Sequence, residues 1–98
     1  MILELALLTI RPGQTAEFEA AFREAQPLIA GQAGYVRHDL QRCLEQDHRY
    51  VLLVWWQTLE DHTLGFRGSP EYAQWRSRLH HFYEPFPRVE HFESVRLA

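Results

Sequence analysis

A chain of 98 residues, 46% of them hydrophobic, suits one domain with one modest core, so we expect residues 1–98 to form a single domain. The net charge of −3 and the scattered arginines lack the basic stripe of a nucleic-acid surface. Lysine is absent, which excludes Schiff-base chemistry. A lone cysteine, Cys43, excludes an internal disulfide, and no apolar run approaches the ~20 residues of a membrane helix. Together with an N-terminus unlike a signal peptide, this predicts a cytoplasmic protein.

Hydrophobic periodicity in the first half of the chain predicts a strand, a helix and a second strand. Residues 2–10 are apolar on both faces, as in a central strand. A helix with an apolar stripe of period 3.6 begins at Thr15. Pro27 is expected to kink its last turns or to start a fresh one, and Gly31 and Gly34 are expected to end the helix. Residues 35–44 alternate more weakly, which is typical of an edge strand.

The second half contains a buried strand and two helix starts. Residues 49–56 include six consecutive apolar residues and predict a strand that is buried on both faces. Thr58 begins T-L-E-D, a capping signature for a short helix over residues 59–65. Ser69-Pro70 starts a longer helix that reaches about Phe82. Two prolines predict an irregular loop over residues 83–87, and a last strand follows over residues 89–95.

The order β-α-β-β-α-β predicts an α+β, ferredoxin-like fold with a four-stranded antiparallel sheet whose first and third strands are central. Both helices must then cover the same face of the sheet. The other face keeps several leucines, valines and aromatic residues, with an apolar surface on the order of several hundred Å², which a soluble monomer rarely exposes. We therefore predict a homodimer in which two sheets pack face to face.

The sequence contains no recognisable cofactor, metal or nucleophile motif. Its glycines match neither dinucleotide nor nucleotide loops, there is no G-x-S-x-G elbow, and Ser69 is explained as a helix cap. The histidines lack metal-ligand spacing, so we expect no metal and no cofactor. A site built from His38, His62 or His91 with a carboxylate remains open.

Two polar residues in the second half are candidates for chemistry. His62 shares a helix face with Leu59 and Phe66, so its ring points inward, either as a hydrogen-bonded core histidine or as a base near neutral pH. Arg76 lies at the edge of the apolar arc of the next helix, where its guanidinium needs either a protein carboxylate or an anionic ligand. The aromatic residues around them could be core or the lining of a pocket. They are Trp56, Phe66, Tyr72 and Trp75.

The stretch W-Q-T-L-E-D-H-x-x-x-F-x-x-S-P-E-Y, the strand before it and the closing P-R-V-E-H-F resemble the antibiotic biosynthesis monooxygenase family. The resemblance covers nearly the whole chain and implies a dimeric α+β barrel. It also implies a small-molecule function, since members include cofactor-free oxygenases of anthrones and quinols, haem-degrading enzymes and an isomerase.

Compared with the anthrone-oxygenase pattern, two of four site residues match. Trp56 and Arg76 stand where that pattern has a tryptophan and an arginine, whereas His62 replaces a tyrosine and Leu52 replaces an asparagine. The haem-degrading branch matches less well, because Ala6 lies where those proteins have an essential asparagine.

The resemblance implies a cofactor-independent monooxygenase that oxidises an electron-rich, anthrone-type aromatic or quinol with dioxygen. His62 would be the base, Arg76 would hold the anion, Trp56 would complete the catalytic set, and the substrate would lie among Leu52, Phe66, Tyr72 and Trp75. Two alternatives remain: a non-catalytic ligand-binding or stress-associated dimer, favoured by the loss of the asparagine, and an isomerase of a small carbonyl compound.

Overall fold

The computed structural model of the protein describes residues 1–97 and has the predicted order of strands and helices. A short π-helix, Asp61–Phe66, precedes the second α-helix, and a 3₁₀ turn, His80–Phe82, follows it. The strands and α-helices are β1 (Ile2–Thr9), α1 (Thr15–Ala30), β2 (Tyr35–Arg42), β3 (Arg49–Trp56), α2 (Pro70–Leu79) and β4 (Val89–Glu93). No helix in residues 1–97 is both long and apolar enough to cross a bilayer.

The four strands form one antiparallel sheet in the order β2-β3-β1-β4, which confirms that the first and third strands are central. In the middle of the sheet, Leu5 of β1 lies opposite Leu53 of β3 and Glu90 of β4. The α+β, ferredoxin-like fold is therefore as predicted. The observed β2 and β4 end two residues earlier than the sequence pattern indicates.

The two faces of the sheet have different surroundings. The covered face packs against both helices and carries buried residues such as Ala6, Leu52 and Val54. The opposite face, which we call the open face, carries the alternate residues of the same strands: Leu3, Leu5, Leu7, Val51, Leu53, Trp55 and Phe92. Nearly half of the surface of Leu7 and Phe92 is exposed, at 48% and 46%. The apolar surface predicted from the sequence therefore exists.

Local capping explains why the chain turns into helices after β3. The backbone N–H of Asp61 donates to Thr58 Oγ1 at 3.2 Å, and Asp61 Oδ2 accepts from the backbone N–H of Thr58 at 3.1 Å. This reciprocal pair confirms the predicted capping box. Ser69 caps α2 as predicted, because its Oγ accepts from the backbone N–H of Tyr72 at 3.2 Å.

Pro27 neither ends nor restarts α1, which continues to Ala30. Proline removes the N–H that would bond to the carbonyl of Arg23. That carbonyl instead accepts from the side-chain amide of Gln26 at 3.4 Å. The expected fresh start at Pro27 is therefore absent, and α1 runs unbroken from Thr15 to Ala30, with Phe18, Phe22, Ala25 and Ile29 buried.

Candidate functional site

A buried carboxyl group lies on the covered face of the central strand β1. Glu4 alternates with Ala6 and Leu8 on that face, and only 6% of its surface is exposed. The indole N–H of Trp56, from the neighbouring strand β3, donates to Glu4 Oε1 at 3.0 Å. Glu4 is thus held by its own strand and by a fully buried tryptophan.

His62 lies beside this carboxyl group because the π-helix carries it inward. Its ring stacks on Trp56, with ring centroids 5.4 Å apart and an interplanar angle of 17°. Its Nε2 is 3.3 Å from Glu4 Oε1, and its Nδ1 is 2.8 Å from Nε2 of His91. His91 and Glu4 are register partners across β4 and β1. The two strands and the π-helix therefore bring together a carboxyl group and two imidazoles, of which Glu4 and His62 are buried and His91 is half-buried.

Burial shifts the pKa values of Glu4 and His62 in opposite directions. Desolvation raises the pKa of Glu4 to about 7, although the hydrogen bond from Trp56 and the charge of Arg67 oppose the shift. Desolvation, followed by the charges of Arg67 and His91, lowers the pKa of His62 to about 3. At neutral pH the imidazole of His62 is therefore uncharged, while the carboxyl group of Glu4 readily takes up or releases a proton.

Glu4 and His62 line a cavity of about 410 Å³ between the sheet and α2. Such a volume is in the range of small-molecule sites. Arg67 brings a guanidinium to this cavity and has no carboxylate within ion-pair distance among residues 1–97. The remaining walls are largely aromatic and aliphatic: Ala6, Leu8, Leu52, Phe66, Tyr72, Trp75, His80, Tyr83, Phe86, Pro87 and Val89.

Most of the residues predicted from the sequence meet at this cavity. His62 lines it together with Leu52, Phe66, Tyr72 and Trp75. Trp56 does not line it. Its indole N–H donates to Glu4 and its ring stacks on His62, so it supports both side chains.

Arg76 is the predicted residue that the structure does not bring to the cavity. It is exposed and does not contribute to the lining. Because α2 ends at Leu79, Tyr83 is not part of its apolar arc, and the buried side of the helix centres on Trp75 and Leu79. At ~100° per residue, Arg76 is then about 80° from that centre and turns outward.

Glu4 and Arg67 of this site were not predicted, and His91 was named only in the open alternative of a site built from a histidine and a carboxylate. Glu4 had a visible signal, because period-2 alternation places it on the same face of a central strand as Ala6 and Leu8. A carboxylate in such a place requires partners. Arg67 follows the π-helix, and His91 depends on the β1–β4 register, which no local pattern encodes.

Of the histidines outside this group, His80 lines the cavity and His38 does not. His38 packs between Tyr35 and Gln26, with its Nε2 2.7 Å from Gln26 Oε1. Across residues 1–97, no group of three or more His, Cys, Asp or Glu residues has a geometry that could hold a metal ion.

The comparisons with known proteins agree with the family resemblance. Residues 1–78 match the model of the antibiotic biosynthesis monooxygenase family. The uncharacterized protein YczJ of Bacillus subtilis strain 168 is 57% identical over 95 residues, which cover 97% of this chain and 100% of that protein.

Solved structures show the same fold. A candidate antibiotic biosynthesis monooxygenase from Bordetella bronchiseptica is 34% identical, with a TM-score of 0.91 and 97% of each chain covered. SnoaB from Streptomyces nogalater, a cofactor-independent oxygenase, is 24% identical, with a TM-score of 0.75 over 99% of this chain and 94% of its own. At that identity the likeness concerns the fold alone. The match over residues 1–78 and the 57% identity to YczJ establish that this chain belongs to the antibiotic biosynthesis monooxygenase family.

Proposed function

We propose that the protein is a cofactor-independent monooxygenase of an electron-rich aromatic or quinol substrate. The observation that carries this proposal is the buried pair of Glu4 and His62 at the base of an aromatic cavity. Membership of the family and the shared fold of SnoaB, itself a cofactor-independent oxygenase, support the reaction class.

The chemistry requires little from the protein. An electron-rich phenol or quinol, once deprotonated, can pass an electron to dioxygen, so the protein must take a proton, hold the resulting anion and exclude water. Glu4 is the better base of the pair, because its pKa of about 7 matches a neutral working pH, whereas His62, with a pKa of about 3, is a weak proton acceptor. We therefore propose that Glu4 accepts the proton of the substrate and that His62 acts as a hydrogen-bond donor.

The anion would be held by Arg67 rather than by Arg76. Arg67 lines the cavity, and its charge acts on the pKa values of both Glu4 and His62, so it lies within electrostatic reach of the reacting atoms. Phe66 and Tyr72 are in edge-to-face contact, with centroids 5.2 Å apart, and form a wall against which a flat ring can pack.

Oxygen uptake with a panel of anthrones and hydroquinones tests this function. We expect the wild-type protein to raise uptake above the protein-free rate with at least one compound, and His62→Ala to lower that rate by at least tenfold. The replacement of the family's asparagine by the apolar Leu52, which lines the cavity, favours a second candidate, a ligand-binding protein. If several compounds raise the melting temperature and none raises uptake, the second candidate is correct.

We also propose that the protein is a homodimer joined through the open face. The wild-type protein should then sediment as a dimer, and Leu53→Arg, which places a charge at the centre of that face, should yield monomers. Leu44→Arg is the matched control, because Leu44 is 95% exposed and lies beyond the end of β2. A wild-type monomer at micromolar concentration, or a dimeric Leu53→Arg variant, would contradict the proposed interface.

A further inference from the structure

His91 contacts the ring of His62 from outside the cavity. It belongs to the edge strand β4, is half-buried, and does not line the cavity. Its Nε2 nevertheless lies 2.8 Å from Nδ1 of His62, which is hydrogen-bonding distance. Any effect of His91 on a ligand must therefore act through His62.

Hydrogen-bond accounting decides which ring donates. A neutral imidazole has one N–H donor and one acceptor nitrogen, and burial lowers the pKa values of both His62 and His91, so both are neutral at pH 7. Nε2 of His62 lies 3.3 Å from a carboxyl oxygen of Glu4. At pH 8, above the pKa of about 7, Glu4 is mostly ionised, and an ionised carboxylate can only accept. A lone pair on Nε2 would face that negative charge, so the proton of His62 belongs on Nε2. Its Nδ1 must then accept, and Nε2 of His91 must be the donor.

We propose that His91 is a positioning residue that holds His62 in the Nε2–H tautomer, and so fixes which oxygen of Glu4 is basic. In this arrangement the N–H groups of Trp56 and His62 both face Oε1 of Glu4. Oε2 has no hydrogen-bond partner among residues 1–97, while Glu4 lines the cavity, so Oε2 is the atom left for the proton of a substrate. When Oε2 takes that proton, Oε1 still accepts from the indole N–H of Trp56, and Nε2 of His62 still lies 3.3 Å from it, so no group needs to reorient.

The charged and titratable groups around His91 are consistent with this role. Arg67, beyond the π-helix, lowers the pKa of His91 after desolvation does, which keeps the ring neutral. On β1 the facing group is Glu4 itself, and on the π-helix it is His62. Neither supplies a second donor for Nδ1 of His62, so His91 alone fills this role within the residues described. The consequence for turnover rests on the proposed function, whereas the hydrogen bond does not.

Nitrogen-15 NMR of the labelled protein tests the hydrogen bond without a substrate. At pH 8 we expect a coupling between Nε2 of His91 and Nδ1 of His62, with the proton attached to the His91 nitrogen. A proton attached to Nδ1 of His62 would overturn the proposal.

Variants of His91 test its effect on Glu4. His91→Phe keeps an aromatic ring but removes the donor. Below pH 7, where Glu4 is mostly protonated and its charge no longer fixes the proton of His62, this variant should give a mixture of His62 tautomers, and the ionisation midpoint of Glu4 should be displaced. His91→Gln supplies an amide donor of similar reach and should restore both, which also separates loss of the donor from loss of folding. Unchanged His62 tautomer and Glu4 midpoint in His91→Phe would contradict the positioning role.

Turnover of any panel compound that the wild-type protein oxidises provides a further test of the positioning role. His91→Phe should lower kcat at least tenfold with little change in KM, because His91 does not touch the substrate, and His91→Gln should recover most of that loss. A loss confined to KM would contradict the proposal. If no compound is oxidised, the proposed function fails while the NMR result still decides the hydrogen bond.

Discussion

Replacing Glu4 by glutamine is expected to lower substrate-dependent oxygen uptake by about 10²- to 10⁴-fold, the usual contribution of a general base. The amide keeps an acceptor for the indole N–H of Trp56 but cannot take a proton. In the wild-type protein the rate should rise with pH through about 7, because desolvation raises the pKa of Glu4 to that value and only the carboxylate is basic. An oxygen electrode over pH 5 to 9 measures both effects.

The same variant has a stability signature that requires no substrate. Between pH 4.5 and about 7 the folded protein binds the proton of Glu4 more tightly than the unfolded chain does, so the stability that Glu4 contributes at low pH is lost as pH rises through about 7. His62, with its lowered pKa, acts in the opposite direction between pH 3 and 6.5 and is present in both proteins. As pH rises from 4.5 to 8, the unfolding free energy of Glu4→Gln should therefore increase by about 3 kcal/mol relative to that of the wild-type protein.

The control for these measurements is Glu17→Gln, on the exposed side of the first turn of α1. It removes the same charge far from the cavity and should change neither the rate nor the pH dependence of stability. If Glu4→Gln keeps the wild-type rate and pH profile, Glu4 is not the base. If the two variants unfold with the same pH dependence, the pKa of Glu4 is not raised.

Substituting alanine for Gly34 is expected to destabilise the fold by roughly 2–3 kcal/mol. Gly34 has a φ of +82°, where a side chain is strained by about 1–2 kcal/mol. A Cβ there would lie 2.0 Å from Oδ2 of Asp61, so Asp61 would have to move and its capping box with Thr58 would break, at a further cost of about 1 kcal/mol. Urea unfolding followed by circular dichroism measures the loss.

Gly13→Ala is a matched control for the backbone strain. Gly13 has a similar φ, +77°, but a Cβ there has no neighbour within 4 Å, so only the cost of the left-handed conformation should appear. The difference in unfolding free energy between the two variants isolates the steric contact of the added Cβ with Asp61. Equal losses at both glycines would show that this contact is not needed to place the π-helix that carries His62.

The features that the sequence predicted are those with local causes. Thr58 with Asp61 and Ser69 with Pro70 start helices through groups within three residues of one another, and their predicted roles are confirmed. The assignment of β1 and β3 as central strands follows from their apolar composition on both faces. Short-range hydrogen bonds and burial patterns are thus sufficient to define the architecture.

The features that the sequence did not predict depend on long-range geometry. Glu4 meets Trp56 across 52 positions of the chain, and His91 meets His62 across 29, through strand register and a π-helix that no periodicity indicates. Arg76 was placed near the site because α2 was expected to continue to Phe82. Because the helix ends earlier, at Leu79, its buried side centres on Trp75 and Leu79, and Arg76 is exposed to solvent.

The alternation of β1 places the proposed base between two residues of the opposite face. Glu4 faces the cavity, while Leu3 and Leu5, its neighbours on either side, face away from it. In a face-to-face pair of subunits, Leu3 and Leu5 would pack against the partner subunit, while Glu4 between them would direct its carboxyl group into the cavity. Subunit dissociation would then loosen the backbone that holds Glu4, so the quaternary state would affect the proposed proton transfer.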